Sequence, residues 1–289
     1  MTMSTLSSPV PVAKALRRKP QWLSLSLVIA VVMLTIVVAL VAIPPMLPGF
    51  DAYNQDLFSA KLPPFEDLSH ILGADPLGRD LLSRLSVATA VSIGIAFCAV
   101  MISATIGLTV GLIAGWVGGK LDAALMAVGN LQLAVPVILL LIVLVATLGS
   151  SPGLLIVLLG LTNWVGYGRV VRSLVVSLRE REFITAVTTA GGSGLWVMRK
   201  HLLPNVLPSV LLIAAFDIGV VITIESSLSF IGLGVQPPTP SLGALISEGQ
   251  RYIQTDPYLT LFPALAIFLL VGGIQFASQA LATRTGAGR

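Results

Sequence analysis

The chain has 289 residues, of which 55% are hydrophobic and only 10% charged. A soluble domain carries charge on roughly a quarter of its residues, so the sequence excludes a water-soluble globule and makes lipid the main solvent. In such a chain the formal net charge of +4 does not point to nucleic acid, because lysine and arginine mark the cytoplasmic side of a membrane protein.

Residues 1–21, with Lys14, Arg17, Arg18 and Lys19, read as a cytoplasmic N-terminus. The apolar run at 22–46 exceeds the roughly 7–15 residues of a signal peptide and lacks a small-x-small cleavage site. It is therefore expected to stay as the first transmembrane helix. An extracytoplasmic segment, 47–86, carries Asp51, Asp56, Glu66, Asp67, Asp75 and Asp80. Its Pro63-Pro64 and Gly73 predict irregular structure, then a short helix leading into the second span. Further apolar runs at 87–115, 124–148, 154–176, 207–232 and 259–281 each suffice for the ~20 residues of a membrane-crossing helix. Helices satisfy the backbone inside lipid, and the alternation of a β-barrel is absent. The expected fold class is thus all-α, a polytopic membrane protein of six transmembrane helices. Its five-helix core spans 87–281, with a cytoplasmic loop at 177–205 and a cytoplasmic C-terminus at 282–289. Of the 17 lysines and arginines, only Lys61, Arg79, Arg84 and Arg251 then fall outside, which places both termini in the cytoplasm.

Within the second span, Gly107, Gly111 and Gly115 repeat at about one helical turn. Such a stripe lets another helix approach closely, either inside one bundle or at a subunit interface. Cys98, the single cysteine, has no internal disulfide partner and reads as a buried, inert thiol. In the fifth span Asp217 and Glu225 stand about 80 degrees apart on a helix of 3.6 residues per turn. An ionisable group in lipid usually faces a cavity or a partner. They are candidates for a pathway or a subunit seam, or else for hydrogen bonds to neighbouring helices, with Gln275 and Gln279 as possible partners.

No catalytic constellation stands out. The nearest approach to a phosphate-binding loop, residues 115–120, lacks the first glycine and the Ser or Thr after Lys120, so the chain is not expected to bind ATP itself. His70 and His201 fall on opposite sides of the membrane and cannot share a metal within one chain.

The loop from Glu182 to Asn205 is the informative segment. It reads as a short helix, a turn at Gly191, Gly192 and Gly194, a second amphipathic stretch, and Pro204 entering the next span. Phe183 and Trp196 are either anchors at the lipid interface or contacts for a docked partner. Thr185-Ala186-Val187, then Gly191, then His201-x-Leu203-Pro204 resemble the EAA loop of ABC importer permeases. The residues 73–85, GADPLGRDLLSRL, and 228–241, LSFIGLGVQPPTPS, are similar to two further stretches of one branch, the dipeptide, oligopeptide and nickel permeases. The match favours the C-type subunit, with Leu242 standing where that branch usually has tryptophan.

The resemblance implies a type I ABC importer permease. It implies a homologous B-type permease as partner, one or two ATPase subunits that hold ATP and magnesium, and an extracytoplasmic substrate-binding protein. Glu182, Phe183, Ala186, Gly191, Ser193, Leu203 and Pro204 would couple to the ATPase. The chain itself would be no enzyme and would carry no cofactor or metal. The implied cargo is a di- or oligopeptide or related small solute, with nickel or a metal chelate as alternative. A self-sufficient secondary transporter is the rival class, although no repeat between the two halves supports it.

Overall fold

In the computed structural model, residues 25–285 are described. The expected cytoplasmic N-terminus, the start of the first span at Trp22 and the last residues of the C-terminal segment lie outside the described residues. Eleven α-helices follow one another: α1 (Leu25–Ala42), α2 (Leu81–Val117), α3 (Gly119–Leu133), α4 (Val137–Leu148), α5 (Pro152–Thr162), α6 (Trp164–Arg179), α7 (Glu182–Thr189), α8 (Gly194–Val197), α9 (Leu203–Phe230), α10 (Leu242–Gln250) and α11 (Tyr258–Thr285). No named strand occurs among the described residues, only an isolated antiparallel bridge between Ala74 and Asp80. Five spans are long and apolar enough to cross a membrane, and six if the bent pair α3–α4 counts as one. The protein is an all-α polytopic membrane protein.

Several boundaries differ from the hydropathy reading. The helix leading into the second span is continuous with it, since α2 begins at Leu81; between α1 and α2 lie only two 3-10 turns, Pro44–Met46 and Leu57–Ser59. Asp80 caps α2 by accepting the Ser83 amide at 2.7 Å, which satisfies an orphan donor of the first turn. The expected third span is two helices bent by 80°, because Pro136 at the N-cap of α4 is extended rather than helical. The expected fourth span breaks at Asn163 between α5 and α6. The helix α10, in the stretch joining the last two long helices, was not anticipated. Ser241 caps it through the Ala244 amide at 3.3 Å.

The α3–α4 pair still traverses the bundle. Asp122 near the start of α3 pairs with Arg172 on α6, close to the loop of residues 180–193. Ser150, just past the end of α4, donates to the Gly234 carbonyl at 2.8 Å beyond α9. The two ends of the pair therefore sit at opposite ends of the bundle.

The most extensive helix contact joins α2 to α6, and the glycine stripe explains it. A Cβ on Gly107 would stand 2.3 Å from the Tyr167 Cβ, one on Gly111 2.6 Å from the Val171 Cβ, and one on Gly115 2.7 Å from the Val175 Cβ. The stripe is filled from within the chain, and α6 leaves no space there for a second subunit. Around this contact lies one apolar core built on Tyr167, Val171, Val175, Ile184, Val197 and Val206. The other core joins α2, α4, α5, α9 and α11 through residues such as Ala99, Leu141, Leu155, Ile222 and Leu270. Helix α1 packs on α11, with Met33 over Gly272 and Leu34 over Gly273. Cys98 corrects another expectation: it is exposed on the isolated chain. Helix α2 is apolar nearly all round, so an apolar neighbourhood in sequence does not select its buried side.

Candidate functional site

The loop between α6 and α9 forms a compact platform at one end of the bundle. Ile184 is buried and ties α7 to the core beneath it, while Glu182, Phe183 and Ala186 face outward. Helix α7 ends in a glycine-terminated motif. The Gly192 amide donates to the Val187 carbonyl at 3.0 Å and the Gly191 amide to the Thr188 carbonyl at 3.1 Å. This is the 6→1 and 5→2 pairing of a Schellman cap, and Gly191 carries the required positive φ of 89°. A side chain at Gly191 meets no atom within 4 Å, so the constraint there is backbone conformation and not space.

Ser193 is exposed and stands at the N-cap of α8. A π-helical turn, Met198–Leu202, carries the chain into α9, with Leu203 and Pro204 in the first turn. Three rings organise the platform. The His201 ring lies edge-on to Trp196 with centroids 5.0 Å apart and tilted toward Phe183 at 6.2 Å. His201, which the sequence only removed from a metal site shared with His70, has its ring against both aromatic side chains of this surface. Phe183, Leu195 and Trp196 remain 43%, 63% and 46% exposed. Ser193, Leu195, Trp196, Arg199 and Lys200 border an open cleft of about 450 Å³. The result is an apolar and cationic surface held on a rigid base.

At the opposite end, the stretch before α2 meets α10 through ion pairs. Arg84, 3% exposed in its side chain, donates to Asp75 at 2.5 Å and to Glu248 at 2.7 Å. Arg79 pairs with the same Asp75 oxygen at 2.6 Å and reaches Glu248 at 3.4 Å. The other Asp75 oxygen accepts the amides of Leu77 and Arg79. Two carboxylates thus balance two guanidinium groups; Asp75 and Arg84 are closed to water and paired, as buried charges require, while Glu248 stays 38% exposed at the edge. Arg79, Glu248, Arg251 and Tyr252 line a cleft of about 650 Å³ beside this cluster. Sequence reasoning missed Glu248. The signal was Arg84 itself, an arginine at the head of an apolar helix that demands a counter-ion.

The two acidic residues of α9 separate. Glu225 is 0% exposed and accepts hydrogen bonds from Ser92 at 3.0 Å and Ser229 at 2.7 Å, with Ser226 at 3.4 Å. In this conformation it is enclosed within the chain and faces no open surface. Its eight-residue spacing from Asp217 carries it to a side of α9 covered by α2 and α10. Asp217 is half-buried, with the Tyr167 hydroxyl beside it. Gln275 and Gln279 do not partner the acidic pair; they line a groove of about 570 Å³ between α9 and α11, with Phe216 and Phe276.

A family model described as "Binding-protein-dependent transport system inner membrane component" matches residues 107–286. The nickel transport system permease protein NikC of Escherichia coli K12 is 38% identical over 232 residues, covering 80% of this chain and 83% of NikC. The oligopeptide transport system permease protein OppC of the same strain is 36% identical, covering 82% of this chain and 78% of OppC. The glutathione transport system permease protein GsiD of Escherichia coli O6:K15:H31 is 38% identical over 71% of this chain and 67% of its own length. A solved structure of the MetNI methionine ABC transporter in an inward-facing conformation shares the fold, with a TM-score of 0.52 at 22% identity, covering 70% of this chain and 95% of that one. The chain belongs to the family of inner membrane components of binding-protein-dependent transport systems. Its fold is that of an ABC importer permease.

Proposed function

We propose that this chain is one of two homologous membrane subunits that enclose the import pathway for small peptides or a related small solute, driven by ATP hydrolysis on separate subunits. The observation that carries this reading is the platform of α7, α8 and the π turn. It presents Phe183, Leu195 and Trp196 to the outside, yet its base is buried in the helix bundle through Ile184, Val197 and Leu202. A docked ATPase would cover the aromatic surface, and a displacement of the platform would reach the helices through that base. Exposed aromatic anchors of this kind are typical interface hot spots. In this reading both termini are cytoplasmic, the ion cluster of Asp75, Arg84 and Glu248 faces the binding protein's side, and ATP and magnesium reside on the ATPases.

The peptide reading follows the chain's likeness to the oligopeptide and glutathione permeases. Nickel or a metal chelate is the second reading, favoured by 38% identity to the nickel permease. The test is co-purification of an ABC ATPase co-expressed with this chain, followed by uptake of a labelled dipeptide and of nickel ions into vesicles. Phe183→Ala is expected to reduce ATPase retention about tenfold or more, on the scale of a hot-spot truncation. Full retention and full uptake in that variant count against docking at this platform.

A further inference from the structure

Resting on that docking reading, we infer that platform movement reaches α2 through a specific contact beside the apolar base, Gly194 seated on Trp116, and travels along that helix. Trp116 is the penultimate residue of α2, and Gly194 is the first residue of α8. A Cβ on Gly194 would stand 2.7 Å from the indole Nε1, 3.4 Å from Cε2 and 3.6 Å from Cζ2. The glycine is therefore required by the indole beneath it, unlike Gly191, where the backbone sets the requirement.

Trp116 is held from a second direction. Arg179, at the end of α6, donates to the Trp116 carbonyl at 2.9 Å. Three elements thus meet on one residue: α8 on its ring, α6 on its carbonyl, and α2 as its own helix. Above this node the glycine stripe locks α2 to Tyr167, Val171 and Val175 of α6, so the two helices are set to move as one body. Helix α2 has 37 residues, about 55 Å at 1.5 Å per residue. Its far end carries Arg84, bound to Asp75 and to Glu248 of α10. A single continuous helix therefore links the ring under the platform to the ion cluster at the opposite end of the bundle. Trp116 and Gly194 are positioning residues in this scheme, since neither belongs to the exposed platform surface named above.

The test uses the whole complex, with its ATPases, in lipid vesicles. Cys98 is the chain's single cysteine and lies exposed on α2; an environment-sensitive fluorophore there, with the other subunits made cysteine-free, reports movement of α2 upon ATP addition. Gly194→Ala is expected to cut the ATP-dependent signal about tenfold, within the range for residues along a coupling route, while the ATPase stays bound. Trp116→Leu removes the ring atoms Nε1, Cε2 and Cζ2 that the new methyl meets. Alone it leaves a gap and is expected to weaken the signal about threefold; combined with Gly194→Ala it is expected to restore most of it. That compensation is a signature general destabilisation does not produce. A wild-type signal indifferent to ATP, full amplitude in either single variant, or no restoration in the pair overturns the inference. The docking reading fails separately, as ATPase retention that ignores Phe183→Ala.

Discussion

Glu225 is a carboxyl group placed where lipid-facing helices normally carry none, and serines from α2 and α9 surround it. Removing it leaves these hydroxyls buried without their acceptor, at a cost of about 1–3 kcal/mol. Glu225→Ala is expected to lower the unfolding midpoint in detergent, whereas Glu225→Gln, which keeps an acceptor oxygen, loses less. An alanine variant as stable as the parent contradicts the assignment. Arg84 presents the sharper case, because it holds two carboxylates at once. Arg84→Ala leaves Asp75 buried with Arg79 as its remaining cation, and breaking a buried pair costs about 3–5 kcal/mol. Arg84→Lys is expected to recover only part of this, since one ammonium does not reproduce the planar fork of guanidinium. Thermal unfolding of the three proteins side by side orders them; equal midpoints for Arg84→Lys and the parent contradict the bidentate role. The serines around Glu225 were invisible from sequence, because Ser92 lies 133 positions away and nothing local marks the pair. By contrast the turn at Gly191 was legible, since three closely spaced glycines have few other uses.

At the scale of elements, long apolar runs announced the membrane helices, and their order follows the hydropathy pattern. The breaks at 134–136 and at Asn163 did not show, because averaging over a span's length hides a single turn of backbone. Helix α10 escaped for a related reason. It has nine residues, too few to cross a membrane, and its apolar face is filled by α9 and α11. Its seat depends on Gly243, where a Cβ would stand 2.0 Å from the Ser226 carbonyl oxygen. Gly243→Ala forces α10 away from α9, and overpacking of this kind costs about 1–3 kcal/mol. The expected outcome is faster proteolysis between residues 231 and 257 without loss of membrane insertion; an unchanged digestion pattern argues that α10 can shift freely. Gly111→Ala makes the matching demand on the α2–α6 contact, where the nearest atom belongs to Val171.

For the whole molecule, the charge asymmetry and the helix count make a joint prediction. With α3–α4 as one crossing there are six, and an even number puts both ends of the chain on the same side. A reporter fused after Arg284 is expected to be active only in the cytoplasm, and one inserted near Lys61 only outside. Both signals exchanged, outside after Arg284 and cytoplasmic near Lys61, reverse the orientation, whereas two sites on the same side mean an even number of crossings between them, four instead of five, and remove the bent pair from the count.

The packing of α1 against α11 has one more consequence. The two helices run antiparallel in a bundle of six crossings, so Leu25 and Thr285 emerge at the same end from neighbouring helices. Topologically the described chain is nearly a closed ring, and where that ring is cut is a choice the packing does not impose. Domains whose ends lie close together tolerate circular permutation. A permutant that joins residue 285 to residue 25 through a short flexible linker, with new ends opened in the exposed stretch near Tyr53, is expected to assemble with the same partners. The same proximity suits a head-to-tail tandem of two subunits, which fixes their ratio in one polypeptide.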